Sequence, residues 1–225
     1  MSQTLDAPAA GLDVAPARPA PRLQLAAGIA AGPLFLAAGL AQGLTRDGFD
    51  FTRNALSQLS LGSLGWIQVS VFLLTGLLVI GGAIAIRRTL GDGPGGTWAP
   101  RLLGVLGASF LLAGVFPADP GAGFPAGAPE GRVVSLSAHG TVHMLSGTVG
   151  YLALCAACLV FARHFAIRRQ RGWALVCRLV PVGVLAGFAG SSVTVMAFTA
   201  GAGLGLLWLT AVSARLLTAA PTTQR

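Results

Sequence analysis

The sequence predicts an all-α, polytopic membrane protein with six transmembrane helices in one bundle. Of its 225 residues, 54% are hydrophobic and only 10% are charged, which leaves too little polar surface to cover a soluble domain. Apolar runs of about 18 residues or more recur along the chain, and each is long enough to cross a hydrocarbon core of about 30 Å as a helix. These two observations exclude a soluble globular class.

The apolar runs divide the chain into spans. We predict four spans at residues 23–44, 64–86, 102–116 and 133–161, and two more between residues 179 and 215. Residues 179–214 carry no charge and are too many for one helix, so they predict two helices with a turn between them. The small residues of TAGAG, at 199–203, indicate that turn.

The flanks of this apolar region are polar or proline-rich. Residues 1–21 hold four prolines and no apolar run, which predicts a disordered tail. The following apolar segment is too long for the core of a signal peptide. We therefore predict a transmembrane domain at residues 22–218 and a short C-terminal tail at 219–225, with both tails in the cytoplasm.

The arginines predict this orientation. All 15 basic residues are arginine, and twelve of them fall in the tails and in the loops on the same side of the membrane. The other side holds only Arg46, Arg53 and Arg132. By the positive-inside rule both termini are cytoplasmic. The net charge of +8 is thus explained by topology and by contact with the bilayer and its anionic lipid headgroups, and nucleic-acid binding is excluded. The identity of any protein partner is left open by the sequence.

The polar residues of the opposite side are candidates for a site. Residues 46–66, RDGFDFTRNALSQLSLGSLGW, separate the first two spans. The fourth span begins with SLSAHGTVH, whose two histidines are four residues apart and therefore lie on one helical face. Ionisable groups near hydrocarbon tend to face a protein interior or a cavity. The predicted site residues share this side of the membrane: Arg46, Asp47, Asp50, Arg53, Asn54, Ser57, Asp119, His139 and His143.

Several functions are compatible with this cluster. The leading hypothesis is non-enzymatic binding of a lipid headgroup or a partner, with no cofactor; a purely structural cap over the bundle uses the same residue types. The alternative is a metal-dependent lipid hydrolase in which His139, His143 and Asp119 bind zinc. A proton-coupled small-molecule transporter comes third, because no acid or base lies near the middle of a span.

Other sites are disfavoured by their surroundings. Bis-histidine haem is excluded because His139 and His143 share one helix and His164 lies at the other membrane face. No nucleophile motif surrounds Ser57 or Ser60. The cysteines, Cys155 with Cys158 and Cys177, lie in apolar spans, which favours packing over metal or redox chemistry.

Small residues predict how the helices approach one another. Gly28 with Gly32, Gly183 with Gly187, and Gly201 with Gly205 are spaced four residues apart, the pattern that permits close contact between transmembrane helices. We expect a monomeric bundle.

Three sequence segments carry a family resemblance: RDGFDFTRNALSQLSLGSLGWIQ, GVFPADP and HGTVHMLSG. In this order the chain resembles the domain of unknown function 998 family of bacterial and archaeal membrane proteins over residues 23–217. The resemblance implies a six-helix integral membrane protein, here of a bacterial plasma membrane, and no established activity. The matching positions are Asn54, Leu56, Ser57, Gly62, Trp66, Phe116, Pro117, Asp119, His139 and His143.

Overall fold

The computed structural model describes residues 20–131 and 135–219. The predicted tails fall outside these ranges, except that residues 20, 21 and 219 belong to helices. Six helices make up the fold: α1 (Ala20–Thr45), α2 (Gly65–Leu90), α3 (Trp98–Val115), α4 (Ala138–Ile167), α5 (Arg171–Gly190) and α6 (Val195–Ala219). All six are long and apolar enough to cross a membrane, and the described residues contain no extended strand. The predicted fold class is confirmed.

The helices form a closed ring. Each helix packs on its neighbours in sequence, and α6 packs back on α1. Because the number of helices is even, α1 begins and α6 ends at the same end of the bundle. We call that end the terminal face; its loops are residues 91–97 and 168–170.

The opposite end is the cap face, formed by residues 46–64, the described part of 116–137, and 191–194. Its first segment contains a short 3-10 helix, Leu56–Ser60, which packs against α1 and α2. This helix lies across the end of the ring, and its buried residues Leu56 and Leu59 join the hydrophobic core. The polar stretch 46–66 therefore covers the bundle.

Two glycine pairs bring helix backbones together. A Cβ added to Gly82 would lie 2.8 Å from Cα of Gly28, which joins α2 to α1. One added to Gly187 would lie 2.7 Å from Cα of Gly201, which joins α5 to α6. Real Cβ atoms do not approach so closely, so these crossings depend on the missing side chains. Small residues thus allow the close contacts that hold helices together in lipid.

The predicted turn at residues 199–203 is wrong, because these residues lie inside α6. The chain turns instead at residues 191–194, where the amides of Val193 and Thr194 donate to the carbonyl of Gly190 at 2.9 and 3.0 Å. The small residues of TAGAG serve the α5–α6 contact at Gly201 rather than a reversal of the chain.

Other boundaries also differ from the prediction: α2 ends at Leu90 rather than residue 86, and α3 begins at Trp98 rather than residue 102. Helix α5 begins at Arg171 rather than near residue 179, because the long arginine side chains lie on its exposed side. Helix α4 begins at Ala138 and runs to Ile167, where the prediction was 133–161. Ser137 explains its start, since its hydroxyl accepts a hydrogen bond from the amide of Gly140 at 3.0 Å and caps the helix.

The half of the bundle at the terminal face is filled with aromatic side chains. Phe161 is fully buried, and its ring centre lies 6.0 Å from that of Phe165 and 5.7 Å from that of Trp208. His164 packs edge-on against Phe165, and its Nδ1 lies 2.6 Å from the carbonyl oxygen of Pro94. This half of the ring is a packed core.

Candidate functional site

Arg46 fastens the first cap segment to the bundle. It follows the end of α1 and donates to the carbonyl oxygens of Leu59 at 2.5 Å and Leu61 at 2.6 Å. Its guanidinium also lies 4.9 Å from the ring centre of Phe124. Partial burial lowers the pKa of Arg46, yet an arginine stays charged at any physiological pH. Its donors thus satisfy carbonyls at the end of the 3-10 helix.

Asn54 and Gln58 join the two long cap segments. Asn54 is 1% exposed, and its Nδ2 lies 3.4 Å from the carbonyl oxygen of Gly121 and 3.3 Å from that of Ala122. The amide of Gln58 donates to the same Gly121 carbonyl at 3.1 Å. Buried amides satisfy backbone groups that would otherwise be unpaired. Asn54 is therefore engaged in the cap, and Gln58 joins it as a residue that the sequence analysis did not single out.

Three predicted site residues lie at the surface of the cap. Asp50 accepts hydrogen bonds from the hydroxyl and the amide of Thr52 at 2.7 and 2.8 Å, and these bonds lower the pKa of its carboxyl. Arg53 forms an exposed ion pair with Glu130 at 3.0 Å, which links the two cap segments with little energy, about 1 kcal/mol or less. Asp47 is exposed.

Asp119 lies at the beginning of α4. Its Oδ2 accepts a hydrogen bond from the amide of Ser137 at 2.9 Å. A Cβ at position 140 would lie 1.9 Å from that oxygen, so the carboxylate occupies the space that Gly140 leaves. An acid at a helix N-terminus is stabilised by the free amides and the helix dipole. Asp119 thus has a structural partner at the helix start.

The two histidines near the start of α4 both contact Phe116. His139 is exposed, and its ring centre lies 5.6 Å from that of Phe116. His143 is 7% exposed, and its Nδ1 lies 2.9 Å from the carbonyl oxygen of Phe116. Because a carbonyl only accepts, Nδ1 carries the proton, and Nε2 of the neutral ring is an acceptor. The ring of Phe72 packs edge-on against His143 at 5.9 Å.

A cavity of about 260 Å³ lies inside the ring beneath the cap. This is slightly below the usual range of small-molecule sites, about 300 to 1,000 Å³. All six helices and the 3-10 helix contribute to its wall, which is largely aromatic and aliphatic. Each of the six helices supplies one aromatic side chain: Phe35, Phe72, Phe110, Tyr151, Phe188 and Phe198. Tyr151, whose hydroxyl lies 3.4 Å from the carbonyl oxygen of Ala202, lines the cavity farther from the cap.

Of the predicted site residues, Ser57 and His143 line this cavity. The others lie in the cap above it or at its surface, and most of them bond to backbone groups. The aromatic wall was missed by the sequence analysis. A phenylalanine that faces a cavity and one that faces lipid look alike within an apolar span, so only the partners of each ring identify it.

The cavity also reaches the side of the bundle. Met144 and Thr148 of α4 line it, yet Met144 is 52% exposed and Thr148 is exposed as well. Ser191 and Val195, which flank the short α5–α6 turn, form part of the same wall. The cavity therefore reaches the lateral surface of the bundle as well as the cap.

The three predicted zinc ligands each have their own surroundings at the start of α4. Nδ1 of His143 is bound to Phe116, Oδ2 of Asp119 is bound to Ser137, and His139 lies exposed at the helix start. Within residues 20–131 and 135–219, no group of three or more histidine, cysteine or acidic side chains is arranged to hold a metal ion.

The chain matches a known protein family. The family described as "Protein of unknown function (DUF998)" matches residues 29–220, which include all of the cap and most of every helix. The comparisons with curated proteins and with solved structures returned no match. The matched region exceeds half of the chain and contains each of the three segments that carried the resemblance. The chain, with its six helices able to cross a membrane, belongs to the DUF998 family of proteins of unknown function.

Proposed function

We propose that this protein binds an amphiphilic lipid without chemical conversion, with one hydrocarbon chain in the cavity and the polar group beside His143. The observation that carries this proposal is the apolar cavity that lies inside the ring and is lined in part by the laterally exposed residues Met144 and Thr148. Its volume of about 260 Å³ suits one hydrocarbon chain better than a whole two-chain lipid, because ligand sites for larger molecules exceed about 300 Å³.

His143 supports a polar end to this ligand. Its Nδ1 proton is used by the carbonyl of Phe116, so Nε2 is an acceptor for a hydroxyl or another donor on the ligand. Ser57 adds a hydroxyl to the same wall. The cavity wall at this end thus offers an imidazole ring and a hydroxyl to the polar group of a ligand.

A photoreactive lipid tests the proposal. A lysophospholipid with a diazirine in its acyl chain is incorporated into nanodiscs with the protein, photolysed, and its adducts are mapped by mass spectrometry. We expect adducts on cavity residues such as Phe198. A Gly147→Phe variant should reduce them at least tenfold, because Gly147 lines the cavity and its Cβ direction is open.

Gly104→Phe is the matched control. Gly104 is also helical and also has open space beside its Cα, but it does not line the cavity. This variant should label like wild type. Equal labelling of the cavity in the Gly147 variant, or adducts spread evenly over the lipid-facing surface, would overturn the proposal.

The hydrolase and the transporter have less support. Asp119 and His143 have structural partners, and the described acids, Asp47, Asp50, Asp92, Asp119 and Glu130, all lie outside the six helices. A hydrolase would release product from the photoreactive lipid, which the same mass spectrometry would detect.

We also propose that the cap face is extracytoplasmic in a bacterial plasma membrane. Support comes from the arginine distribution, since Arg46, Arg53 and Arg132 are the arginines of the cap side and twelve belong to the other side. Cysteines introduced at Ala126 and Thr97, which are exposed on opposite faces, test this. An impermeant maleimide added to intact cells should label Ala126→Cys and leave Thr97→Cys unlabelled; the native cysteines are buried. The opposite pattern would reverse the orientation.

A further inference from the structure

We propose that the groove between the end of α4 and the start of α5 binds the phosphate of an anionic phospholipid in the leaflet at the terminal face. The groove is separate from the cavity and from the cap. It is lined by Ala166, Arg169, Arg171, Ala174, Leu175 and Arg178. Three guanidinium groups thus surround one concave surface, and guanidinium is the group best suited to bind phosphate through paired hydrogen bonds.

The groove arginines are available for a ligand. Arg169, Arg171 and Arg178 are exposed, and the ion pairs among the described residues are Arg53 with Glu130 and Arg87 with Asp92. Asp92 is the acid of the described terminal face, and it is already paired with Arg87. The positive charge of the groove therefore lacks an acidic partner within the described part of the protein.

Arg178 lies farther into the helix than the other two arginines of the groove. It lies seven residues after Arg171 on the same face of α5, which is about 10 Å farther along the helix. An arginine inside a transmembrane helix needs a polar partner or must extend its side chain toward the interface. A lipid phosphate at the interface is such a partner, and Leu175, 54% exposed, lies between the two arginines against the hydrocarbon.

Arg169 occupies a backbone conformation that favours glycine. Its φ is 58°, and its amide and that of Gln170 donate to the carbonyls of Ala166 and Phe165 at 3.0 and 2.9 Å. This is the usual end of a helix, where glycine is the residue without steric strain. An arginine here holds its side chain at the groove despite that strain.

Lipid retention tests the proposal. The protein is reconstituted in nanodiscs with phosphatidylcholine and phosphatidylglycerol in equal amounts, released in the gas phase, and its retained lipids are counted by native mass spectrometry. We expect wild type to retain phosphatidylglycerol at least tenfold over phosphatidylcholine. The double variant Arg169→Gln with Arg178→Gln should lose this preference, whereas Arg163→Gln with Arg168→Gln, which removes the same charge outside the groove, should keep it within threefold.

A second variant separates binding from folding. Arg169→Gly should raise the melting temperature, because glycine accepts the positive φ, and it should still weaken phosphatidylglycerol retention about threefold or more. A protein that is more stable and binds less lipid cannot owe its loss to misfolding.

Three results would overturn the proposal. Equal losses in the two double variants would mean diffuse attraction to the whole basic face. Displacement of phosphatidylglycerol by millimolar inorganic phosphate would mean a site for a soluble anion. Unchanged retention in Arg169→Gly would remove Arg169 from the site. The Gly147→Phe variant should leave phosphatidylglycerol retention intact, so this proposal and that of the cavity fail independently.

Discussion

His143 and His164 lie on the same helix, about 32 Å apart along its axis, and they make the same contact in different surroundings. In each, Nδ1 lies within hydrogen-bond distance of a loop carbonyl, that of Phe116 or that of Pro94. His164 is then enclosed by Phe161 and Phe165, whereas His143 lines the cavity. Both histidines anchor a loop, and only the one beside open space has a surface to offer a ligand.

The two halves of the bundle differ in the same way. At the terminal face, aromatic rings and the close crossing of Gly28 with Gly82 fill the interior. At the cap face, the short 3-10 helix covers a space that the six helices leave open. One half of the bundle is thus tightly packed, and the other contains the cavity that could bind a ligand. Substitutions in each half test this difference.

The largest effect is expected from Phe161→Ala. Phe161 is fully buried among Phe165, Trp208 and His164, so its loss leaves a cavity and destabilises the fold by about 4 kcal/mol. Phe198→Ala, at the wall of the existing cavity, should cost about 1 kcal/mol, mainly its contact with Phe188. Thermal unfolding in a mild detergent measures both; equal losses would show that the two halves are packed alike.

The next effect is expected from Gly82→Leu. A Cβ at Gly82 meets the backbone of Gly28 at 2.8 Å, whereas one at the adjacent Gly81 meets the Cβ of Ala27 at 3.8 Å. Separation of α1 and α2 should cost about 3 kcal/mol. Gly81→Leu, and Gly147→Leu in the cap half, should cost less than about 1 kcal/mol. The same unfolding assay tests this, and a tolerated Gly82→Leu would contradict the close crossing.

A moderate effect is expected from substitutions at His143 and His164, and it should differ between the two positions. Asparagine carries a donor close to the position of Nδ1 and lacks Nε2. His143→Asn and His164→Asn should therefore keep stability within about 1 kcal/mol, whereas the alanine variants lose about 2 kcal/mol because a loop carbonyl is left unpaired. In the photolabelling assay only His143→Asn should reduce adducts near the cap. A reduction in His164→Asn would mean that the two sites are coupled.

The smallest effect concerns the surface of the cap. Hydrogen bonds from Thr52 hold the pKa of the Asp50 carboxyl below its ordinary value, about 3.9. Because the folded pKa is lowered, this contact stabilises the turn above the ordinary pKa and is lost as pH falls through the lowered one. In Thr52→Val the pKa should rise toward its ordinary value, as measured by carboxyl NMR titration. An unchanged pKa would assign the shift to Arg53 instead.

Patterns along the sequence were enough to predict much of the fold. The six spans follow from the length of the apolar runs, because a bilayer requires a helix of a certain length irrespective of its neighbours. The gathering of Asn54, Asp119 and His143 at one end follows from the number of helices between them. The polar role of residues 46–66 is equally local, since charged and amide side chains there have no place in hydrocarbon.

The remaining features depend on contacts between distant segments. TAGAG indicates a turn by composition, but Gly201 packs on Gly187 inside a helix pair. Asn54 is of a residue type that often binds ligands, but its side chain bonds to the backbone carbonyls of residues 121 and 122. Neither partner is adjacent in sequence, so no window along the chain reveals it.

Apolar runs and loop composition were enough to predict a chain that crosses a membrane six times with its polar residues at one end. That these residues form a cap, that a cavity lies beneath it, and that His143 is the cap-end histidine lining it follow from contacts between segments distant in sequence. The physical reason is that lipid and protein interior are equally apolar. Hydrophobicity therefore locates a helix in the bilayer, but its neighbours determine which of its side chains face lipid, core or cavity.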